Sequence, residues 1–306
     1  MRYSSLVSAI GTLALLAAAR SAHAAPQDVE VPLELGPRVV PDSETRTGFT
    51  PLQVSLFAPA SAVFFMGRRL DVYGLDVSVA YERVRNMYGI AISGGYLDIE
   101  RDAFGFQFAL AAHTERDFGG IQVGAFYARE DGDGFGIQVG GLKAVQAGYR
   151  SGGIQIAGLK TEALSDFTGL QFAALVNEAS GRSWGGIQLG LINWNETETS
   201  SGFRGGFINS NKGDFAGISA GFANASFTSA PRDGARFPVH GDMTGLEAGV
   251  ANMHFDGWVK GVQIGLVNWA GTLTGVQIGL VNIVSNKGAL PFMIGINPGF
   301  AGSRGK

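Results

Sequence analysis

The chain has 306 residues, no Cys, 47 Gly and a formal net charge of −3. Without Cys there is no disulfide framework, no thiolate metal site and no thiol to carry a lipid, and the acidic balance argues against nucleic acid as a partner. Glycine is about twice as frequent as the ~7% of ordinary proteins, so roughly half of it needs a structural reason.

Residues 1–24 read as a secretory signal peptide. Arg2 gives a positive start, LVSAIGTLALLAAA is an apolar run shorter than the ~20 residues of a spanning helix, and Ala22, His23 and Ala24 supply a small-residue cleavage site. Removal of this leader takes Arg2 and Arg20 with it, which makes the mature chain from Ala25 more acidic still. Residues 25–50 form a polar, Pro-rich leader, residues 51–300 a repeat-built β domain, and residues 301–306 a polar tail. No later stretch approaches ~18 consecutive apolar residues, so a helix spanning a bilayer is not expected after the signal, whereas strands forming a barrel are still allowed.

From residue 51 onward one phrase recurs, as in GIQVGA, GIQIAG, GLQFAA, GIQLGL and, twice within 22 residues, GVQIGL. Its central residues are Asp76, Ala91, Gln107, Gln122, Gln138, Gln155, Gln171, Gln188, Arg204, Ser219, Glu247, Gln263 and Gln277. They are 14 to 17 residues apart except for one step of 28, which places a long connection at about 225–242. LPFMIGINPGF, with Met293 at the centre, completes fourteen units. Repetition at a fixed short period marks a unit that cannot bury its own apolar face and needs neighbours like itself.

Within a unit the period is two. Around Gln171, residues Phe167, Gly169, Gln171, Ala173 and Leu175 share one face, while Leu170, Phe172 and Val176 lie on the other. This alternation predicts a strand of about ten residues, followed by a turn rich in Gly, Asp, Asn and Ser.

Two all-β architectures accommodate such units. The favoured expectation is an up-and-down antiparallel β-barrel of about 14 strands built from ~16-residue repeats, since ten tilted residues nearly match the ~25 Å apolar band of an outer-membrane barrel. Its lumen would be lined by Gln107, Gln122, Gln138, Gln155, Gln171, Gln188, Gln263 and Gln277, with Asp76, Arg204 and Glu247 as charged substitutes at the same height. Phe118, Phe167, Trp184 and Phe215, each four residues before a central position, would cover bare glycine backbone on that face. The alternative is a β-solenoid with the aliphatic face inward and Gln stacked in ladders. Asn177, Asn193, Asn209, Asn224, Asn252, Asn268 and Asn282, which follow the aliphatic residues closely, suit that alternative.

Taken together, PLQVSLFAPA, DVYGLDVSVAYERVRNMYGIAIS, the serial GIQVG and GVQIGLVN units and the closing LPFMIGINPGF resemble a family of exported bacterial surface-repeat proteins of unknown function, several of them lipoproteins. The likeness runs from about Pro51 to Phe300 and implies an envelope location and a repeat architecture. It implies no catalytic residues, and the lack of Cys keeps lipid anchoring from being carried over.

Motifs for chemistry are few. His113, His240 and His254 lack metal-site spacing and read as polar residues of turns and loop edges. Glu130, Asp131 and Asp133 read as a solvated acidic turn rather than a Ca²⁺ loop. Neither a G-x-S-x-G elbow nor a phosphate-binding loop occurs. The expectation is therefore a non-enzymatic protein without cofactor or metal, exported to the outer membrane or cell surface. As a barrel it would contact outer-membrane lipid and form a narrow passage for small neutral solutes. As a solenoid it would be a surface-exposed adhesin or binding scaffold.

Overall fold

The computed structural model describes residues 49–57, 60–61, 71–227, 241–286 and 291–300. The expected signal peptide, the leader as far as residue 48, the middle of the 225–242 connection and the 301–306 tail lie outside the described residues.

All regular structure among the described residues is β-strand, and all strands join one sheet. The sheet winds into a parallel β-solenoid of about twelve turns, which replaces the expected antiparallel barrel. Each turn contributes a wide-wall strand carrying the repeated phrase, such as Arg150–Ala157 or Asp166–Ala173. After a two-residue bend comes a narrow-wall strand of about four residues, such as Lys160–Ala163 or Val176–Ala179. In several turns one strand runs through the bend and serves both walls, as Thr199–Asn211 and Asp214–Ser226 do.

Successive wide-wall strands are parallel and in register, so identical positions stack: Gln138 pairs with Gln155, Gln155 with Gln171 and Gln171 with Gln188. The narrow wall repeats the arrangement, with Asn177, Asn193 and Asn209 in line. This stacking decides against hairpins. Parallel in-register strands put like side chains one strand spacing apart, ~4.8 Å, which is the reach of an amide-to-amide hydrogen bond.

The uneven spacing of the units, which argued for hairpins, is absorbed at corners. Narrow and wide strands are joined by one residue at Arg85, two at Leu164–Ser165 and three at Ala147–Tyr149. The long connection leaves the coil after Phe227 and returns at Gly241. Ser219 pairs directly with Glu247 across it, so the coil resumes in register.

Glycine is required at the position two before the centre. Gly169 and Gly186 have φ of +151° and +127°, and a methyl group on either would run into the backbone carbonyl of the glycine one turn earlier. Only a residue without Cβ permits that approach.

The interior is the Gln face. This also corrects the solenoid alternative, which put the aliphatic residues inside. The cross-section between walls is thin, and it is filled by amides, Ala, Gly and a few larger groups. Val72, Met87, Leu97, Ile99 and Phe118 pack together near the start, Phe167 with Trp184 midway, and Phe215, Met243, Val259 and Leu273 toward the end. The four aromatic residues expected on the glycine face are thus buried core.

Both ends differ from the repeat reading. Phe49–Phe57 adds a turn at the start, with Gln53 beside Asp76, and antiparallel Ala60–Ser61 folds back on it. At the other end Phe292–Gly299 runs antiparallel to Val267–Val284, and Asn297, not Met293, lies opposite Gln277.

Candidate functional site

The residues expected to line a lumen do point inward, but into a packed interior. Gln122, Gln138, Gln155, Gln171, Gln188, Gln263 and Gln277 are wholly buried and Gln107 nearly so. The Gln138 amide donates to Gln122 at 3.0 Å and to the narrow-wall carbonyl of Val145 at 3.0 Å. Gln155, Gln171 and Gln188 continue the ladder at 3.1, 2.8 and 3.0 Å, and Trp184 adds an indole donor to Gln171 at 2.9 Å. Amides spent on one another and on backbone fill the interior among the described residues, where the expected barrel would have had a wetted passage for neutral solutes. A second ladder runs from Asn177 through Asn193, Asn209, Asn224, Asn252 and Asn268 to Asn282, every step 2.7–2.8 Å.

The three charged substitutes fall at two places. Asp76 is buried beside Glu82, neither of its carboxylate oxygens has a hydrogen-bond partner among the described residues, and Gln53 and Ser55 both donate to Glu82. Burial, aided by the Glu82 charge, pushes Asp76 up to about 8, and burial pushes Glu82 up to about 7.

Arg204 and Glu247 interrupt the Gln ladder two turns apart, with Ser219 between them in register. The Arg204 guanidinium lies 3.8 Å over the Phe215 ring, with the Ser210 carbonyl and Asn211 Oδ1 each 3.4 Å from Nη1. Burial lowers its pKa to about 10, which leaves it cationic at neutral pH. Glu247 meets His254 Nε2 at 2.8 Å and accepts from Gln263 at 3.0 Å. Burial works to raise the Glu247 pKa, but His254, Gln263 and Arg204 together hold it below the ordinary carboxylate value.

His254 is therefore fully buried, not at a loop edge. Glu130 is likewise buried rather than in a solvated turn, and burial raises it to about 8. Sequence reasoning passed over Glu82, Glu130 and His254 as interior groups, although each follows its central residue by seven or eight positions, or by six for Glu82, where other units place an inward narrow-wall residue. His240 lies outside the described residues.

Outside, the two walls contrast. The wide wall presents two outward rows flanking the central position, from Leu75 and Val77 to Val276 and Ile278, which hold only aliphatic residues, phenylalanines, alanines and Gly205. Ile154, Ile187 and Ile218 on this face are 37%, 42% and 44% exposed. A third row at the bend, from Leu110 through Leu142, Leu159 and Leu191 to Leu280, is also exposed. Beside these rows Phe49, Tyr73, Tyr88 and Phe104 form a run of stacked and edge-on rings. Further along, a groove of about 400 Å³ is lined by Thr168, Ser201, Thr244, Asp214, Asp242 and Lys260.

The narrow wall carries ion pairs instead: Arg83 with Glu100 at 2.7 Å, Lys143 with Glu162 at 2.5 Å, Lys160 with Glu178 at 2.6 Å and Lys212 with Glu196 at 2.5 Å. His113 sits here on a strand between Asp98 at 3.1 Å and Asp131 at 2.9 Å. Its pKa is raised, chiefly by the Asp98 hydrogen bond, against the effect of burial and with help from Asp131. Ligand atoms of Asp98, His113 and Glu115 come within 4.8 Å of one another. Arg83, which pairs with both carboxylates at 3.3 and 3.6 Å, already supplies a cation there.

Comparison with family models, curated proteins and solved structures finds no match.

Proposed function

We propose that this chain is a non-enzymatic, surface-exposed β-solenoid that serves as a binding scaffold, taking its partner on the apolar wide wall. The observation that carries the reading is the three adjacent apolar rows on the exterior of that wall, two flanking the central position and one at the bend. With turns ~4.8 Å apart and about five residues of width, the face covers on the order of 1,000 Å². Soluble monomers rarely exceed a contiguous apolar patch of ~300–600 Å², and larger ones mark interaction sites. The ionic narrow wall is suited to face water. The signal-like residues 1–24 and the resemblance to exported surface-repeat proteins support placing the scaffold at the cell surface, and the reading needs no catalytic group or cofactor.

The test compares charge substitutions on the two walls in cells. Ile121→Lys with Ile154→Lys on the wide wall should leave a folded, exported protein that no longer stays with the envelope fraction, whereas Lys160→Ala on the narrow wall should stay. Equal retention of both variants would remove the wide wall from the function.

A further inference from the structure

We infer that the wide wall is a self-pairing face and that its occupant is a second copy of this chain. The inference rests on the reading of that wall as the docking surface and names what docks.

Three observations favour a second copy. The first is area. A face on the order of 1,000 Å² per chain, covered by its equal, buries roughly 2,000 Å² in total, at the size where obligate homodimers begin, and such interfaces are the more apolar ones. The second is geometry. Successive turns present outward side chains at the same strand spacing, so the rows of one copy stay in step with those of another from turn to turn, which no partner of different period would do. The third is charge. The edge where wide-wall strands begin carries more aspartates, among them Asp102, Asp117, Asp166 and Asp214, than arginines, among them Arg101, Arg116 and Arg150, and the chain is acidic overall. This edge disfavours an anionic lipid surface, which draws apolar faces in by pairing them with basic residues.

A twofold axis parallel to the solenoid axis satisfies all three. It sets the aspartate edge of each copy beside the leucine bend of the other instead of against a second aspartate edge, and it keeps turns level. An isologous contact of this kind closes at two copies.

The experiment measures the mass of the full chain in solution by light scattering, and its flotation with vesicles of neutral phosphatidylcholine. The native protein should have twice the mass of one chain and should not float. Ile154→Lys with Ile187→Lys should halve the mass while leaving the β-sheet circular dichroism unchanged. Because the chain has no Cys, Leu189→Cys, in the middle of the three outward rows and so beside the twofold axis, offers an independent readout: mild oxidation should link it into a dimer, and Glu178→Cys on the narrow wall should stay unlinked. A dimer indifferent to the lysines, or equal cross-linking of both cysteines, would overturn the assignment. A monomer that floats would overturn self-pairing while keeping the wall as a docking face. A monomer that neither pairs nor floats would overturn both.

Discussion

At Gly185 and Gly186 two adjacent glycines do different things. Gly186 has φ +127°, and its missing Cβ makes room for the Gly169 carbonyl, whereas a methyl group on Gly185 would meet nothing closer than Ser201 Oγ at 3.5 Å. Gly186→Ala should therefore cost about 3 kcal/mol or more, through strain and a displaced neighbouring turn. Gly185→Ala should be neutral or stabilise by up to ~1 kcal/mol, because it removes freedom only from the unfolded chain; urea denaturation of the two variants checks the contrast. Buried acids give a second residue-scale prediction. Asp76, Glu82 and Glu130 have folded pKa values raised to about 8, 7 and 8, so the folded state holds protons that the unfolded state releases near pH 4. Their contribution is full below that pH and is lost as pH rises through 7–8; His113, also raised, acts in the same sense above its unfolded value near 6.5. Glu247 and Glu162, held low, lose theirs as pH falls below about 4.5. Thermal melts should therefore be highest near pH 4 to 5 and decline toward pH 8, and Glu130→Gln should flatten that decline by on the order of 1–2 kcal/mol.

At the scale of the element, a strand here is stabilised chiefly by its two neighbours in the stack. Asn209 donates to Asn224 at 2.8 Å and to the Ala220 carbonyl at 3.0 Å, and accepts from Asn193 at 2.7 Å. All of these groups are away from water, so removing the amide strands donors and acceptors on both sides. Asn209→Ala should cost about 2–4 kcal/mol by chemical denaturation. Lys212→Ala, three residues on, breaks a partly exposed ion pair with Glu196 and should cost less than ~1 kcal/mol. The contrast between walls follows from the same alternation. Inward residues answer to a narrow interior in which each polar group must be met, while outward ones are free to be apolar or ionic according to what faces them.

For the molecule as a whole, stability grows by addition of turns, and open ends are the weak points. Phe292–Gly299 covers the final turn by antiparallel pairing with Val267–Val284. Truncation after residue 286 would bare a long parallel edge, the usual template for end-to-end association. The shortened protein should keep its β-sheet dichroism yet form higher oligomers in a concentration-dependent way, which sedimentation velocity would detect. Such growth along the axis is separable from side-by-side pairing through the wide wall, since only the latter responds to Ile154→Lys and Ile187→Lys.

The sequence by itself determined the strand units, their number to within the end turns, the alternation of faces and the place of the long connection, because these depend on periodicity along the chain. Gln107 to Gln277 were legible as one row for the same reason. Tertiary structure alone decided that the row is the inside of a solenoid rather than the lining of a barrel. Alternation separates two faces but carries no label for which is inward, and hairpins and coils place the same residues at the same height. The choice depends on contacts between residues a full unit apart, such as Gln171 to Gln155 and Asn209 to Asn193. His254 and Glu130 were misread on the same account: an isolated polar residue in a linear chain says little until the opposite wall, here with Glu247 and Gln146, is brought against it.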